Sequence, residues 1–117
     1  MQVTVEGKLV DEGSSEGMLI DFSDLKKAIE ECVMKRFDHA VIFSTAHYRN
    51  EAEEDLLCWA EKNNMHRLIL NERSTAESMS VQIRDEIKNY LYYELKLYNI
   101  SEVHIKLWET PTSFAEV

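Results

Sequence analysis

A chain of 117 residues with 44% hydrophobic composition fits one domain over 1–117 with a modest core, rather than two. Lys and Arg number 13 against 22 Asp and Glu, a formal charge of −9 that repels phosphate backbones and anionic membranes and argues against a nucleic-acid partner. No run approaches the ~20 apolar residues of a membrane span, and the first residues lack the basic and apolar regions of a signal peptide, so a cytoplasmic protein with no membrane partner is expected.

Along the chain, residues 2–6 alternate Val3 and Val5 against Gln2, Thr4 and Glu6, the period-two pattern of a half-buried strand with no partner strand before it. Residues 11–16, DEGSSE, read as a polar turn leading back to a strand end at Met18, Leu19 and Ile20. The strongest signal is GMLIDFSDLKKAIEECVMKRFDH, residues 17–39. There Asp21 or Ser23 caps a helix whose Leu25, Ala28, Ile29, Cys32 and Val33 form one buried stripe, with Lys26, Lys27, Glu30 and Glu31 largely opposite. Asp38 and His39 fall just beyond its C-terminus.

Residues 40–43 form a short apolar segment, extended by its β-branched content. Residues 51–62 carry Ala52, Leu56, Leu57, Trp59 and Ala60 at helical spacing, with acidic residues in the first turn and Asn63-Asn64 as the stop. Residues 67–70 read as extended, and a third helix starts at Ser74, where Ser74 and Glu77 make a capping box. Its stripe is Ile83, Ile87, Tyr90, Leu91 and Leu95. Residues 101–108 alternate Val103, Ile105 and Leu107 against Glu102, His104 and Lys106, the clearest strand pattern; Glu109-Thr110 follow directly, then a brief tail after Pro111. Cys32 and Cys58 form no C-x-x-C motif and read as packing residues within helices.

Two residue groups invite chemistry. Histidine titrates near neutrality, and a neighbouring carboxylate raises its basicity and orients it, so Asp38-His39 suits proton transfer; a histidine after a helix equally suits capping of carbonyls. The histidines at 39, 47, 66 and 104 have neither i, i+4 nor i, i+2 spacing, and surface positions are expected rather than metal ligands.

The ordered blocks GMLIDFSDLKK, FDHA, STAES and ETPTSFAEV resemble the 6-pyruvoyltetrahydropterin synthase family, which includes the 6-carboxytetrahydropterin synthases of the queuosine pathway. The resemblance implies an α+β tunnelling fold: an antiparallel sheet with helices packed on one face, joined through strands of several subunits into a homo-oligomeric ring or barrel with active sites at the interfaces. It implies a zinc-dependent lyase or synthase acting on dihydroneopterin triphosphate or a related pterin, with Asp38 and His39 catalytic, Glu109 and Thr110 holding the pterin, and Ser74 and Thr75 contacting substrate. Without it, Glu109 reads as a solvated strand end.

The departures are as specific as the matches. The family's zinc-binding histidines and catalytic cysteine precede the segment that MQVTVEGKL resembles, so zinc is the expected cofactor while its ligands fall outside this sequence. Ser74 and Ser78 stand where the family pattern has proline and asparagine. The expectation is a pterin synthase-like chain shortened at its N-terminus and inactive alone; the alternative is a non-catalytic oligomeric scaffold retaining a pterin or purine pocket.

Overall fold

Two long helices lie across an antiparallel sheet in the computed structural model, which describes residues 1–11, 13 and 17–117. The order is β1 (Gln2–Gly7), α1 (22–37), β2 (Val41–Phe43), α2 (Glu51–Lys62), β3 (Arg67–Ile69), α3 (76–94), β4 (Ile100–Thr110) and β5 (Ser113–Glu116), with a short 3-10 turn at Ala46–Tyr48. Most of the turn expected over 11–16 lies outside the described residues.

The main sheet runs β1-β4-β5, antiparallel throughout, with Val3 opposite Ile105 and Val5 opposite Val103. Side chains alternate across a strand, so Val103 and Ile105 are buried against Ala28, Cys32 and Val33 of α1 and Ile83, Ile87 and Leu91 of α3. This is the core that the helical and strand stripes anticipated. Burial of each large aliphatic side chain contributes about 1.5–3 kcal/mol. Gly7 sits where β1 bulges: a Cβ there would lie 2.0 Å from the Asn99 carbonyl oxygen, so only glycine permits the approach.

Asp21 caps α1, accepting from the Ser23 N–H at 2.9 Å, and this hydrogen bonding holds its carboxyl below the usual value. Both long helices widen into a π-helical turn, at Glu30–Met34 and Tyr90–Glu94.

Several expectations are corrected. Met18, Leu19 and Ile20 belong to no strand; this stretch is tied down by the Met18 carbonyl accepting from Val10 N–H at 2.8 Å and the Leu19 carbonyl accepting from Asn99 Nδ2 at 2.7 Å. β2 and β3 are parallel and form a separate two-stranded sheet, beside which Phe43 packs on Leu57 and Ala60 of α2. Only those two residues of the α2 stripe are buried; Leu56 and Trp59 stand 47% and 50% exposed, and Ala52 is exposed. Cys58 is exposed as well, so only Cys32 packs inside. The brief tail after Pro111 returns as β5, and Glu109-Thr110 end β4 rather than follow it. The capping box is replaced: α3 begins at Ala76, and its cap is Thr75, whose hydroxyl accepts from the Ser78 N–H at 3.2 Å.

The chain is elongated. Its radius of gyration is 16.7 Å, where a compact chain of this length gives about 13 Å. Its accessible surface of 7822 Å² exceeds the roughly 6,600 Å² of a compact monomer of this mass. Among the described residues no helix is long and apolar enough to cross a membrane.

Candidate active site

Three of the sequence blocks, far apart along the chain, meet at one cleft of ≈ 270 Å³. α1 supplies Met34 and Phe37, the residue before Asp38-His39; α3 supplies Ala76, the residue after Ser74-Thr75, with Met79; β4 supplies Leu107, Trp108 and Glu109. Met1, Val33, Ile42 of β2 and Ile83 line it as well. Glu109 is the only charged side chain lining the cleft among the described residues, and it makes no hydrogen bond or ion pair with them. A carboxylate beside thioether, aromatic and aliphatic walls suits a flat apolar ring with hydrogen-bond donors along one edge.

Asp38 and His39 follow the end of α1 and do not themselves line this cleft. Asp38 N–H still donates to the Met34 carbonyl at 3.2 Å, and Ala40 N–H donates to the Phe37 carbonyl at 3.1 Å, which forces His39 into the left-handed region at φ 55. The pair's side chains are 3.8 Å apart at Nε2 and Oδ1, with His39 93% and Asp38 55% exposed. They are adjacent but engage no other described group.

The remaining candidates have structural partners. Thr75 caps α3, and its hydroxyl also donates to Ser78 Oγ at 3.1 Å. The Thr110 hydroxyl accepts from the Ser113 N–H at 3.0 Å and the Thr112 N–H at 3.3 Å, closing the β4–β5 turn. Ser74 hydrogen-bonds the buried Ser44, a residue that sequence reasoning passed over because a serine after a short strand carries no local signal. Trp108 was read only as the end of a strand; its place as a cleft wall depends on the packing of α1 and α3 beside it.

The histidines do not gather. His39 follows α1, His47 lies in the 3-10 turn, His66 precedes β3, and His104 points from β4 toward Glu6, with Nε2 3.4 Å from a carboxylate oxygen. Among the described residues no three His, Cys, Asp or Glu side chains are arranged to hold a metal ion. The Cys32 thiol donates to the Glu86 carbonyl at 3.6 Å, and burial, then the Glu86 carboxylate, push its pKa up to about 11, which makes it a poor nucleophile.

Comparison with known proteins places this chain in a family. The family profile described as 6-pyruvoyl tetrahydropterin synthase matches residues 1–117. The chain is 35% identical over 117 residues to the 6-carboxy-5,6,7,8-tetrahydropterin synthase of Haemophilus influenzae, covering 99% of this chain and 75% of the relative. It is 27% identical over 118 residues to the protein of the same name from Rickettsia bellii, covering 100% and 77%. No solved structure matches. The profile over the whole chain and the Haemophilus relative together decide the matter: the chain belongs to the 6-pyruvoyl tetrahydropterin synthase family.

Proposed function

We propose that this chain is a pterin-binding protein of the 6-carboxytetrahydropterin synthase type, acting on dihydroneopterin triphosphate or a related pterin. The observation that carries the reading is the meeting of Phe37, Ala76 and Glu109 at one apolar cleft. A pterin ring presents an N–H and an amino group side by side, and the Glu109 carboxylate accepts both in a charge-assisted pair, while Phe37, Met79 and Trp108 cover the ring. A groove of ≈ 510 Å³ along α3 is a poorer candidate, because Glu72, Glu77, Asp85 and Glu86 line it and repel a phosphorylated substrate.

Asp38 and His39 take the proton-handling role, with the carboxylate orienting the imidazole beside it. In this reading a neighbouring subunit completes the site at these exposed side chains. Ser74, Thr75 and Thr110 act by shaping the wall and the turn beside Glu109. The described residues do not fit zinc, so no step is assigned to a metal; in this reading the chain's own residues anchor the ring and move protons. The same reading makes residues 1–117 a single cytoplasmic domain in a homo-oligomer.

A second reading, a pterin- or purine-binding scaffold without turnover, is favoured by the 3.8 Å separation and open position of the Asp38-His39 pair. Tryptophan fluorescence separates binding from none: Trp108 lines the cleft, so neopterin is expected to quench it in a saturable titration, also when Trp59 is replaced by Phe. Loss of all quenching in that variant overturns the assignment of the cleft. Proton-transfer turnover lost in His39→Ala separates the enzyme from the scaffold.

A further inference from the structure

Ser44 follows β2 directly, two residues after the cleft-lining Ile42, and is 4% exposed. Its hydroxyl accepts from the Ser74 N–H at 2.9 Å and donates to Ser74 Oγ at 3.1 Å, a pairing across 30 residues. Its carbonyl accepts from Arg49 Nη1 at 3.0 Å, and the adjacent Thr45 N–H donates to the Glu72 carbonyl at 2.9 Å. The segments that leave β2 and β3 are thereby joined at the start of α3. Ser74 stands two residues before Ala76, which is fully enclosed and lines the cleft.

We propose that Ser44 is a positioning residue for the pterin site: without touching the ligand, its hydroxyl fixes the Ser74-Thr75 segment and thereby sets the first turn of α3 against the cleft. The inference rests on the pterin-binding reading above. Its physical basis is the asymmetry of hydrogen bonding. Deleting the Ser44 hydroxyl leaves the Ser74 N–H without its partner, and the segment can recover one only by moving. A proline at position 74, as in the family pattern, has no N–H to satisfy and holds its own φ through the ring. Here two hydrogen bonds from a buried serine provide the restraint that a ring would otherwise supply. The prediction is therefore one of exchange between the two devices.

Amide hydrogen exchange at Ser74 in the wild type and Ser44→Ala, and calorimetric titration of neopterin into these two and into the double variant Ser44→Ala with Ser74→Pro, test it. Ser44→Ala is expected to speed Ser74 exchange and to weaken neopterin binding by about tenfold each, the scale of one lost hydrogen bond to a constrained group. The double variant is expected to regain most of the affinity, which a general loss of stability would not allow. Unchanged exchange in Ser44→Ala overturns the proposal, as does a double variant that binds no better than Ser44→Ala. If Ser44→Ala does not fold, Ser44→Cys, which keeps a weaker acceptor in similar volume, carries the same comparison. Absence of neopterin binding to the wild type defeats the pterin reading, while the exchange arm still decides whether Ser44 restrains Ser74.

Discussion

The Arg36 guanidinium of α1 donates to the Glu86 carboxylate of α3, and the Cys32 thiol donates to the Glu86 backbone carbonyl one turn away on the same interface. One residue of α3 thus receives two side chains from α1. The ion pair is partly exposed, so its net contribution is at most about 1 kcal/mol; its location, just after the π-helical turn of α1 and one turn before that of α3, makes it a register pin for the helix pair that walls the cleft.

The buried thiol gives a pH-dependent prediction. Cys32 is held at about 11 against an ordinary 9.0, first by burial and then by Glu86. A raised folded value means that its stabilisation is complete below about pH 9 and is lost as pH rises toward 11, because the unfolded chain releases the proton first. Denaturant unfolding of the wild type should therefore weaken between pH 9 and 11, with the loss reduced in Cys32→Ala. At neutral pH a thiol reagent should modify Cys58 rapidly and Cys32 only on unfolding; two rapidly reacting thiols per native chain would show that the interface is not closed.

His39 yields a different prediction. A non-glycine residue in the left-handed region costs about 1 kcal/mol or somewhat more relative to glycine, and the exposed His39 side chain has only the long 3.8 Å approach to the Asp38 carboxylate within the described chain to offset this. His39→Gly should raise the thermal midpoint by a few degrees, as relief of local strain does in a domain of this size. A fall of several degrees would mean that the imidazole holds the turn, and would weaken its assignment to proton transfer.

The elongated shape bears on assembly. β1 pairs only with β4 among the described residues and so keeps one bare edge, and Phe22, Tyr93 and Tyr98 are exposed large apolar side chains. Bare edges and apolar patches of this kind invite a second chain. Light scattering at micromolar concentration should give a multiple of the 13.7 kDa chain mass; a single-chain mass would contradict the homo-oligomer.

The parts of the fold legible in the sequence are those set by local periodicity. The stripe from Ala28 to Val33, the stripe from Ile83 to Leu91 and the alternation through Val103 and Ile105 each name their own face, and those faces form the core. β2 and β3 are three residues each, too short to alternate, so nothing local specified that they would run parallel. The start of α3 was misplaced for a related reason. Ser74 and Thr75 are both capable caps, and what assigns the role to Thr75 is that Ser44, 30 residues earlier, engages Ser74. The blocks of the candidate site could be read from their order, whereas the cleft could not, since Phe37, Met79 and Trp108 become its walls only through packing.

Anchoring of the pterin by Glu109 is tested most directly by calorimetric titration of neopterin into the wild type and Glu109→Gln. The substitution keeps size and shape but sets an amide NH2 where a carboxylate oxygen faced the ligand's donors. Loss of a charge-assisted pair of this kind is expected to cost about 1.5–3 kcal/mol, or about ten- to a hundredfold in affinity. Equal affinities in the two proteins would contradict the assignment of Glu109 as the anchor and of the cleft as the pterin site.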